Sequence, residues 1–323
     1  MVAVSAPQRP VLTVTVNPAL DVSTHVERVV PEHKMRCGTS QFDPGGGGVN
    51  VSRAIRNLRG YSTAIVALGG PTGQAYRGFL EQTGVVSRVV TISGNTRESF
   101  TVAEATTGDQ FRFVLKGPTL DDVEWRACLG AIAEQLPRGG YLVASGSLPP
   151  GVPDDFYARV ARVARVARDD DVRVVVDSSG PALAAALQEG VHLIKPSRSE
   201  LIALAGADAD AEDPTLIAAA HDLVVRGAAQ GVALTLGAAG AVLTTRDAQL
   251  RLPTPRVDVV SAVGAGDAFL GGLILRLAQR RPLADAFRTA VAAGSATAMR
   301  PGTNLCEDAD VARLEAELSA ARW

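Results

Sequence analysis

What most narrows the possible folds is an alternation. Short β-rich runs give way to longer helical patterns: residues 11–16 then 49–58, 63–68 then 73–83, and 141–145 then 153–168. The rhythm resumes at 172–177, 191–195, 232–236 and 241–245, with helical stretches between them. Such alternation builds an α/β fold around a mostly parallel sheet. Runs such as Val172-Arg173-Val174-Val175-Val176 and Val232-Ala233-Leu234-Thr235-Leu236 are almost continuously apolar, as strands are when helices cover both faces of the sheet. Ligands then belong outside the carboxyl ends of those strands. At 323 residues, 46% hydrophobic and 20% charged, the chain has ample material for a buried core. No internal repeat or low-complexity linker divides it, so a single domain over residues 1–323 is expected.

Two stretches break the rhythm. Residues 21–43 and 94–116 alternate polar and apolar side chains, as in Ser99-Phe100-Thr101-Val102-Ala103-Glu104 and Gln110-Phe111-Arg112-Phe113-Val114. They predict a small antiparallel sheet, apolar on one face, placed to close over a site as a lid or to pair with a second subunit. The helix expected at 153–168 carries Arg159, Arg162, Arg165 and Arg168 along one side. Asp169 to Asp171 follow at once, so the stripe reads as a solvated face rather than a nucleic-acid surface.

Net charge is only −2, from 32 Lys plus Arg against 34 Asp plus Glu. No global basic field would hold nucleic acid or an anionic membrane; the ligand is expected to be small, and any phosphate-binding charge local. Cys37, Cys128 and Cys306 are odd in number and far apart, which speaks against a disulfide scaffold or a structural zinc site and for a reducing, cytoplasmic setting. Residues 1–10 lack a basic stretch followed by an apolar one, and no apolar run approaches the length of a spanning helix. Neither a secretory leader nor a membrane anchor is expected. His25, His33, His192 and His221 show no metal-ligand spacing, and Trp125 and Trp323 read as packing residues.

Two glycine segments carry the chemistry. Gly264-Ala265-Gly266-Asp267 follows the run 257–263 and opens a helical pattern at 268–277, a strand-to-helix joint. Small residues let consecutive backbone N–H groups converge there, and a helix N-terminus favours a developing phosphoryl charge. A carboxylate among those donors could take the proton of an attacking hydroxyl, although an Asp at this position could equally do no more than cap its helix. Pro44-Gly45-Gly46-Gly47-Gly48-Val49-Asn50-Val51 runs straight into a second helix. Its glycines admit close approach of backbone to a polyol or phosphate, or else form a hinge. Neither familiar nucleotide fingerprint fits: the third glycine of the dinucleotide turn is missing, and no Gly-Lys-Ser/Thr occurs for a P-loop.

Taken together, the chain resembles the ribokinase-like (PfkB) family of carbohydrate kinases over nearly its whole length. The residues that carry the resemblance are Asn17-Pro18-Ala19-Leu20-Asp21, the 44–50 segment, Ser145-Gly146-Ser147-Leu148-Pro149-Pro150-Gly151, Lys195-Pro196-Ser197-Arg198-Ser199-Glu200, Thr235-Leu236-Gly237 and Gly264 to Asp267. Within the family, Lys34-Met35-Arg36-Cys37 followed by four glycines without an interposed lysine is similar to the type-2 6-phosphofructokinase branch, and Thr96-Arg97-Glu98-Ser99-Phe100 to phosphosugar kinases.

The resemblance implies a three-layer ribokinase-like domain with a β-sheet lid, a homodimer formed through the lids, and ATP- and Mg²⁺-dependent phosphorylation of fructose 6-phosphate at O1. Tagatose 6-phosphate or fructose 1-phosphate is the nearest rival substrate, and a non-catalytic sugar-phosphate sensor a more distant alternative. Asp267 would be the general base, with the backbone of Gly264, Ala265 and Gly266 stabilising the moving phosphoryl group. Asp21, Gly46, Gly47, Gly48 and Asn50 would hold the sugar, and Arg97, Lys34 and Ser147 its phosphate. Lys195, Ser197, Thr235, Gly237 and Gly240 would contact ATP, and Glu200 would organise Mg²⁺, through water. Two departures stand out. Ser197 replaces the family's usual Asn, and Arg300, in Arg300-Pro301-Gly302-Thr303-Asn304, brings a positive charge where relatives hold a monovalent cation near Ser261 and Val263. Dependence on such a cation is therefore not expected, with the guanidinium standing in for it.

Overall fold

The computed structural model describes residues 7–166 and 172–320. The strands, in chain order, are β1 (Val11–Thr15), β2 (Ala19–Val26), β3 (Gln41–Gly45), β4 (Thr63–Leu68), β5 (Val86–Thr91), β6 (Arg97–Glu104), β7 (Gln110–Val114), β8 (Tyr141–Ser145), β9 (Arg173–Asp177), β10 (Val191–Ile194), β11 (Ala229–Thr235), β12 (Ala241–Thr245) and β13 (Gln249–Leu252). The helices are α1 (Gly47–Asn57), α2 (Gly70–Gln82), α3 (Asp122–Glu134), α4 (Phe156–Val166), α5 (Gly180–Gln188), α6 (Arg198–Ala205), α7 (Asp213–Val225), α8 (Ala265–Ala278), α9 (Leu283–Ala298) and α10 (Asp308–Ala320).

Nine strands form the main sheet in the order β13-β12-β11-β10-β9-β8-β1-β4-β5. All neighbours from β11 to β5 run parallel, while β12 and β13 add an antiparallel edge. Both faces are covered, and the side-chain alternation shows how. On β8, Leu142 and Ala144 join the core under α3–α7, whereas Tyr141 and Val143 join the core under α1 and α8–α10. On β9, Val174 and Val176 point to the first core and Val175 to the second. Every position is needed by one layer or the other, and this is why these strands read as continuous apolar runs. From β1 the chain winds one way to β4 and β5, and from β8 the other way to β13. The carboxyl ends of β1 and β8 thus flank a topological switch point, where α/β sheets open a crevice.

The second sheet has four strands in the order β3-β2-β6-β7. Its outer pairs are antiparallel as expected, but the middle pair, β2 with β6, is parallel. The reason lies in the main sheet: β2 continues directly from β1 and β6 from β5, two strands that already share a direction. A second correction concerns residues 257–263, which form an irregular loop rather than a strand. The N–H groups of Val260 and Ser261 both donate to Ala298 O at the end of α9, at 2.8 and 3.1 Å, so neither is available to a ladder.

The arginine stripe on α4 is neutralised by acids on neighbouring segments. Arg159 bonds Asp155 at 2.8 Å, Arg162 pairs with Glu189 at 3.1 Å, and Arg165 pairs with Glu189 as well. Arg168, Asp169 to Asp171 and Trp323 lie outside the described residues. Trp125 is 3% exposed, a packing residue, with the guanidinium groups of Arg126 and Arg159 over its ring. Among the described residues, no helix is long and apolar enough to cross a membrane.

Candidate active site

Two cavities meet at the first turn of α8. One, of about 330 Å³, lies between the carboxyl ends of β8 and β9 and the small sheet. The other, of about 950 Å³, lies between α8, α9 and the loops that follow β10 and β11. Gly264 and Asp267 face the smaller cavity, Ala265 and Gly266 the larger. Gly264 takes φ 76° as the residue before the helix, a left-handed conformation suited to glycine, and it lets the chain turn from the irregular loop into α8. The Ala265 N–H makes a long bond of 3.3 Å to Ala262 O, while the N–H groups that follow it in the first turn have no helical carbonyl four residues back and are directed outward as donors.

Asp267 does not cap its helix: no side-chain capping bond is made at the start of α8. Its Oδ2 instead accepts from Asn50 Nδ2 at 2.8 Å. Burial, with the nearby Asp177 carboxylate adding to it, raises Asp267 from the ordinary aspartate value of 3.8 to about 7, against the opposing pull of Asn50 and Lys195. Lys195, 6% exposed, sets Nζ 3.1 Å from Asp177 Oδ1. Burial works against its charge, but Asp177 and Asp267 outweigh that effect and hold the ammonium protonated. Asp21, on β2, is raised to about 6, again chiefly by burial, which Arg53 and Arg97 only partly offset.

The far wall of the smaller cavity is basic. Arg97, on β6, donates from Nη1 to Leu115 O at 3.1 Å and from Nη2 to Asn17 O at 3.2 Å, while its buried Nε has no protein partner. Burial lowers its pKa. Asn17 donates to Ser147 Oγ at 3.0 Å, and its buried Oδ1 is also without a partner. Arg97 lines the cavity, so its orphaned donor marks a place for a polar ligand, whereas Asn17 Oδ1 lies against Gly117.

The glycine segment divides by position. Gly46, at φ 115°, and Gly47 line the smaller cavity. Gly48 does not: a Cβ there would lie 2.6 Å from both Thr15 Oγ1 and Val14 O, so its smallness serves the seating of α1 on β1. The hinge alternative fails here, because α1 begins at Gly47 and is buried over most of its length.

On the larger cavity's side, Ser197 and Glu200 form a capping box at the start of α6. Ser197 Oγ accepts from Glu200 N, and Glu200 Oε2 accepts from Ser197 N at 2.7 Å. The serine at the departure from the family pattern thus has a local role, its hydroxyl capping the start of α6, while the backbone N–H of the same residue holds the carboxylate of Glu200, which faces the smaller cavity. Ser197 itself, Thr235, Gly237 and Gly240 line the larger one. Arg300 is committed elsewhere: its guanidinium pairs with Glu307 at 2.9 Å and with Asp310, both acids at the start of α10. The expected substitution of this guanidinium for a cation is thereby corrected, since α10 neutralises the charge.

Of the residues singled out from the sequence, Asp21, Gly46, Gly47, Asn50, Arg97, Ser147, Lys195, Glu200, Gly264 and Asp267 converge on the smaller cavity. Lys34, in an exposed coil, lines neither cavity. Sequence reading missed Arg112, Ser99 and Asp177, which also face the cavity. The strand period could have found the first two: Ser99 follows Arg97 by two on β6, and Arg112 sits opposite Thr101, two further on.

Comparison with known proteins shows what the whole chain is similar to. A model of the pfkB family carbohydrate kinases matches residues 15–310. The chain is 43% identical over 303 residues to the ATP-dependent 6-phosphofructokinase isozyme 2 of Mycobacterium tuberculosis, covering 94% of this chain and 88% of that protein. It is 38% identical over 310 residues to the isozyme of the same name from Escherichia coli, covering 96% and 99% respectively. The crystal structure of phosphofructokinase-2 from Escherichia coli in complex with potassium aligns with a TM-score of 0.91 at 37% identity, over 96% of this chain and 99% of that one. In sequence and fold, the chain belongs to the pfkB family of carbohydrate kinases.

Proposed function

We propose that this protein transfers the terminal phosphoryl group of ATP to O1 of fructose 6-phosphate, giving fructose 1,6-bisphosphate and ADP. The observation that carries the reading is the first turn of α8: it separates a small polar cavity from a larger, more apolar one, with Asp267 on the polar side. A sugar phosphate fits the first and a nucleotide the second, so that acceptor hydroxyl and terminal phosphate meet at Gly264 to Asp267. The identities to ATP-dependent 6-phosphofructokinases support the same substrates.

In this reading Asp267 takes the O1 proton as the O1–phosphorus bond forms and the bond to ADP breaks. The amides of Ala265 and Gly266 stabilise charge on the phosphoryl group in transit. Asp21, Gly46, Gly47 and Asn50 orient the sugar hydroxyls. Arg97 and Ser147, joined by Arg112, hold the substrate phosphate; Lys34 adds to that clamp only if its coil, or a partner's, moves to the cavity. Ser197, Thr235, Gly237 and Gly240 hold the nucleotide in the larger cavity, and Lys195, which lines the smaller one beside Gly266, meets its terminal phosphate where the two cavities join.

No group of three metal-ligating side chains occurs among the described residues. A dedicated protein cage is thus not part of this reading. A single fixed carboxylate, Glu200, suits Mg²⁺, which keeps most of its waters and is bound chiefly by substrate phosphates. When bound, the ion neutralises charge on the phosphate oxygens. Residues 1–323 act as one kinase domain, with segments 21–43 and 94–116 as its lid, and two copies pair through the lids. Support for pairing comes from the exposed apolar side chains of that sheet and its flank, Phe42 at 43%, Phe113 at 55% and Leu115 at 47% exposure. A cytoplasmic setting belongs to the same reading, as do the three free cysteines.

The deciding experiment is a coupled ADP-release assay over fructose 6-phosphate, tagatose 6-phosphate, fructose 1-phosphate, ribose and adenosine. The highest kcat/KM is expected with fructose 6-phosphate. A higher value with another phosphosugar moves the assignment within the family, and no turnover with any of them overturns it.

A further inference from the structure

Behind the cavity runs a buried line of hydrogen bonds that joins three distant stretches of chain. Thr303 Oγ1 donates to Asp43 Oδ2 at 2.7 Å, and Gln41 Nε2 donates to the same oxygen at 2.9 Å. Arg53 Nη2 donates to Asp43 Oδ1 at 2.9 Å. From Nη1, Arg53 donates to Asn50 Oδ1 and to Pro44 O, each at 3.2 Å. Asn50 Nδ2 then donates to Asp267 Oδ2. Asp43, Arg53 and Asn50 are 7, 8 and 6% exposed, and neither Asp43 nor Arg53 lines either cavity.

The chemistry of the donors fixes a direction along this line. A guanidinium offers hydrogens only, so the edge of the Asn50 amide that faces Arg53 must be its oxygen. The NH₂ edge is thereby turned to Asp267. Without Arg53 the amide loses the anchor on its oxygen and is held only through its bond to Asp267, so its position is less fixed. Asp43, held by Thr303 and Gln41, in turn keeps the guanidinium from leaving. We propose that Arg53 is a positioning residue for phosphoryl transfer, acting through Asn50 to tie one oxygen of Asp267 and leave the other turned to the acceptor hydroxyl. This inference rests on the reading of Asp267 as the base.

The test is a double-mutant cycle on the full chain, with fructose 6-phosphate and Mg·ATP as substrates. Arg53→Lys keeps a charge beside Asp43, but a single ammonium does not hold the Asn50 amide and the Pro44 carbonyl in a fixed fork. It is expected to lower kcat about tenfold or more, with both KM values within about threefold of the parent, and to change kcat less than about twofold in an Asn50→Ala background. An unchanged kcat, or the same loss in both backgrounds, overturns the positioning role. If Arg53→Lys does not fold, Thr303→Val removes only the outermost bond. A kcat loss of about threefold that disappears with Asn50→Ala is then expected, and no loss or an additive one overturns the proposal. The two readings fail separately. A parent without turnover, or an Asp267→Asn variant with parental turnover, overturns the base; an inactive Asp267→Asn beside a parental Arg53→Lys overturns only the positioning.

Discussion

Two aspartates share one cavity, and burial moves both toward neutrality, Asp267 to about 7 and Asp21 to about 6. A base poised near the working pH combines a useful ionised fraction with enough basicity. The kcat/KM profile is therefore expected to show an acid limb near pH 7, where Asp267 takes up its proton. Asn50→Leu, which removes a bond that lowers the Asp267 value, should move that limb upward; a limb that stays in place separates it from this carboxyl. The same shift has a stability consequence. A carboxyl raised on folding makes the native state bind more protons than the unfolded chain, so its contribution is fullest on the acid side and is lost as pH rises from 3.8 through about 7. Asp267→Asn should accordingly raise Tm at about pH 8 and raise it less at about pH 5, while activity disappears. Equal melting shifts at both pH values contradict the account. Arg97→Ala should raise the sugar-phosphate KM about tenfold or more with a smaller effect on kcat, as expected for a group that binds ground and transition states alike. At this scale the sequence was most legible where chemistry is concentrated in small residues, as at Gly264 to Asp267. It was least legible for Arg112 and for the Asp43–Arg53 pair, because their significance arises from partners across strands and from Thr303, far along the chain.

The strand runs at 63–68, 141–145 and 241–245 are strands with those same bounds, since two covered faces leave no ambiguity in their pattern. The run at 257–263 misled for a physical reason: apolar valines there face outward, Val259 at 69% and Val260 at 49% exposure, while their backbone is tied to the end of α9. Helix α1 shows how packing and chemistry share one segment. Gly48→Ala would push a Cβ against Val14 O and Thr15 Oγ1, so a loss of about 1–3 kcal/mol is expected in a denaturant melt, although Gly48 lies outside the cavity. Parental stability would contradict the close contact. Asp43→Ala leaves the Arg53 guanidinium buried without its counter-charge and should cost about 3–5 kcal/mol, readable in the same melt.

For the molecule as a whole, two cavities end to end are what a transfer between two bound ligands requires, and strand order dictates where they open. The sequence conveyed the α/β layering and the existence of a second sheet. It did not convey the parallel pairing of β2 with β6, a consequence of how the two sheets share connections. The apolar outer surface of that second sheet leads to a prediction about assembly: light scattering on the parent should give a dimer mass, and Phe113→Asp, at a 55% exposed position, a monomer of unchanged fold. A monomeric parent would contradict pairing through the lids.

The most direct measurement is kcat of Asp267→Asn with saturating fructose 6-phosphate and Mg·ATP, on protein shown by circular dichroism to be folded. An amide keeps the shape and loses the proton acceptor, so turnover should fall by about a hundredfold or more. Turnover within about tenfold of the parent would contradict the claim that this carboxylate, seated at the start of α8, activates the acceptor hydroxyl.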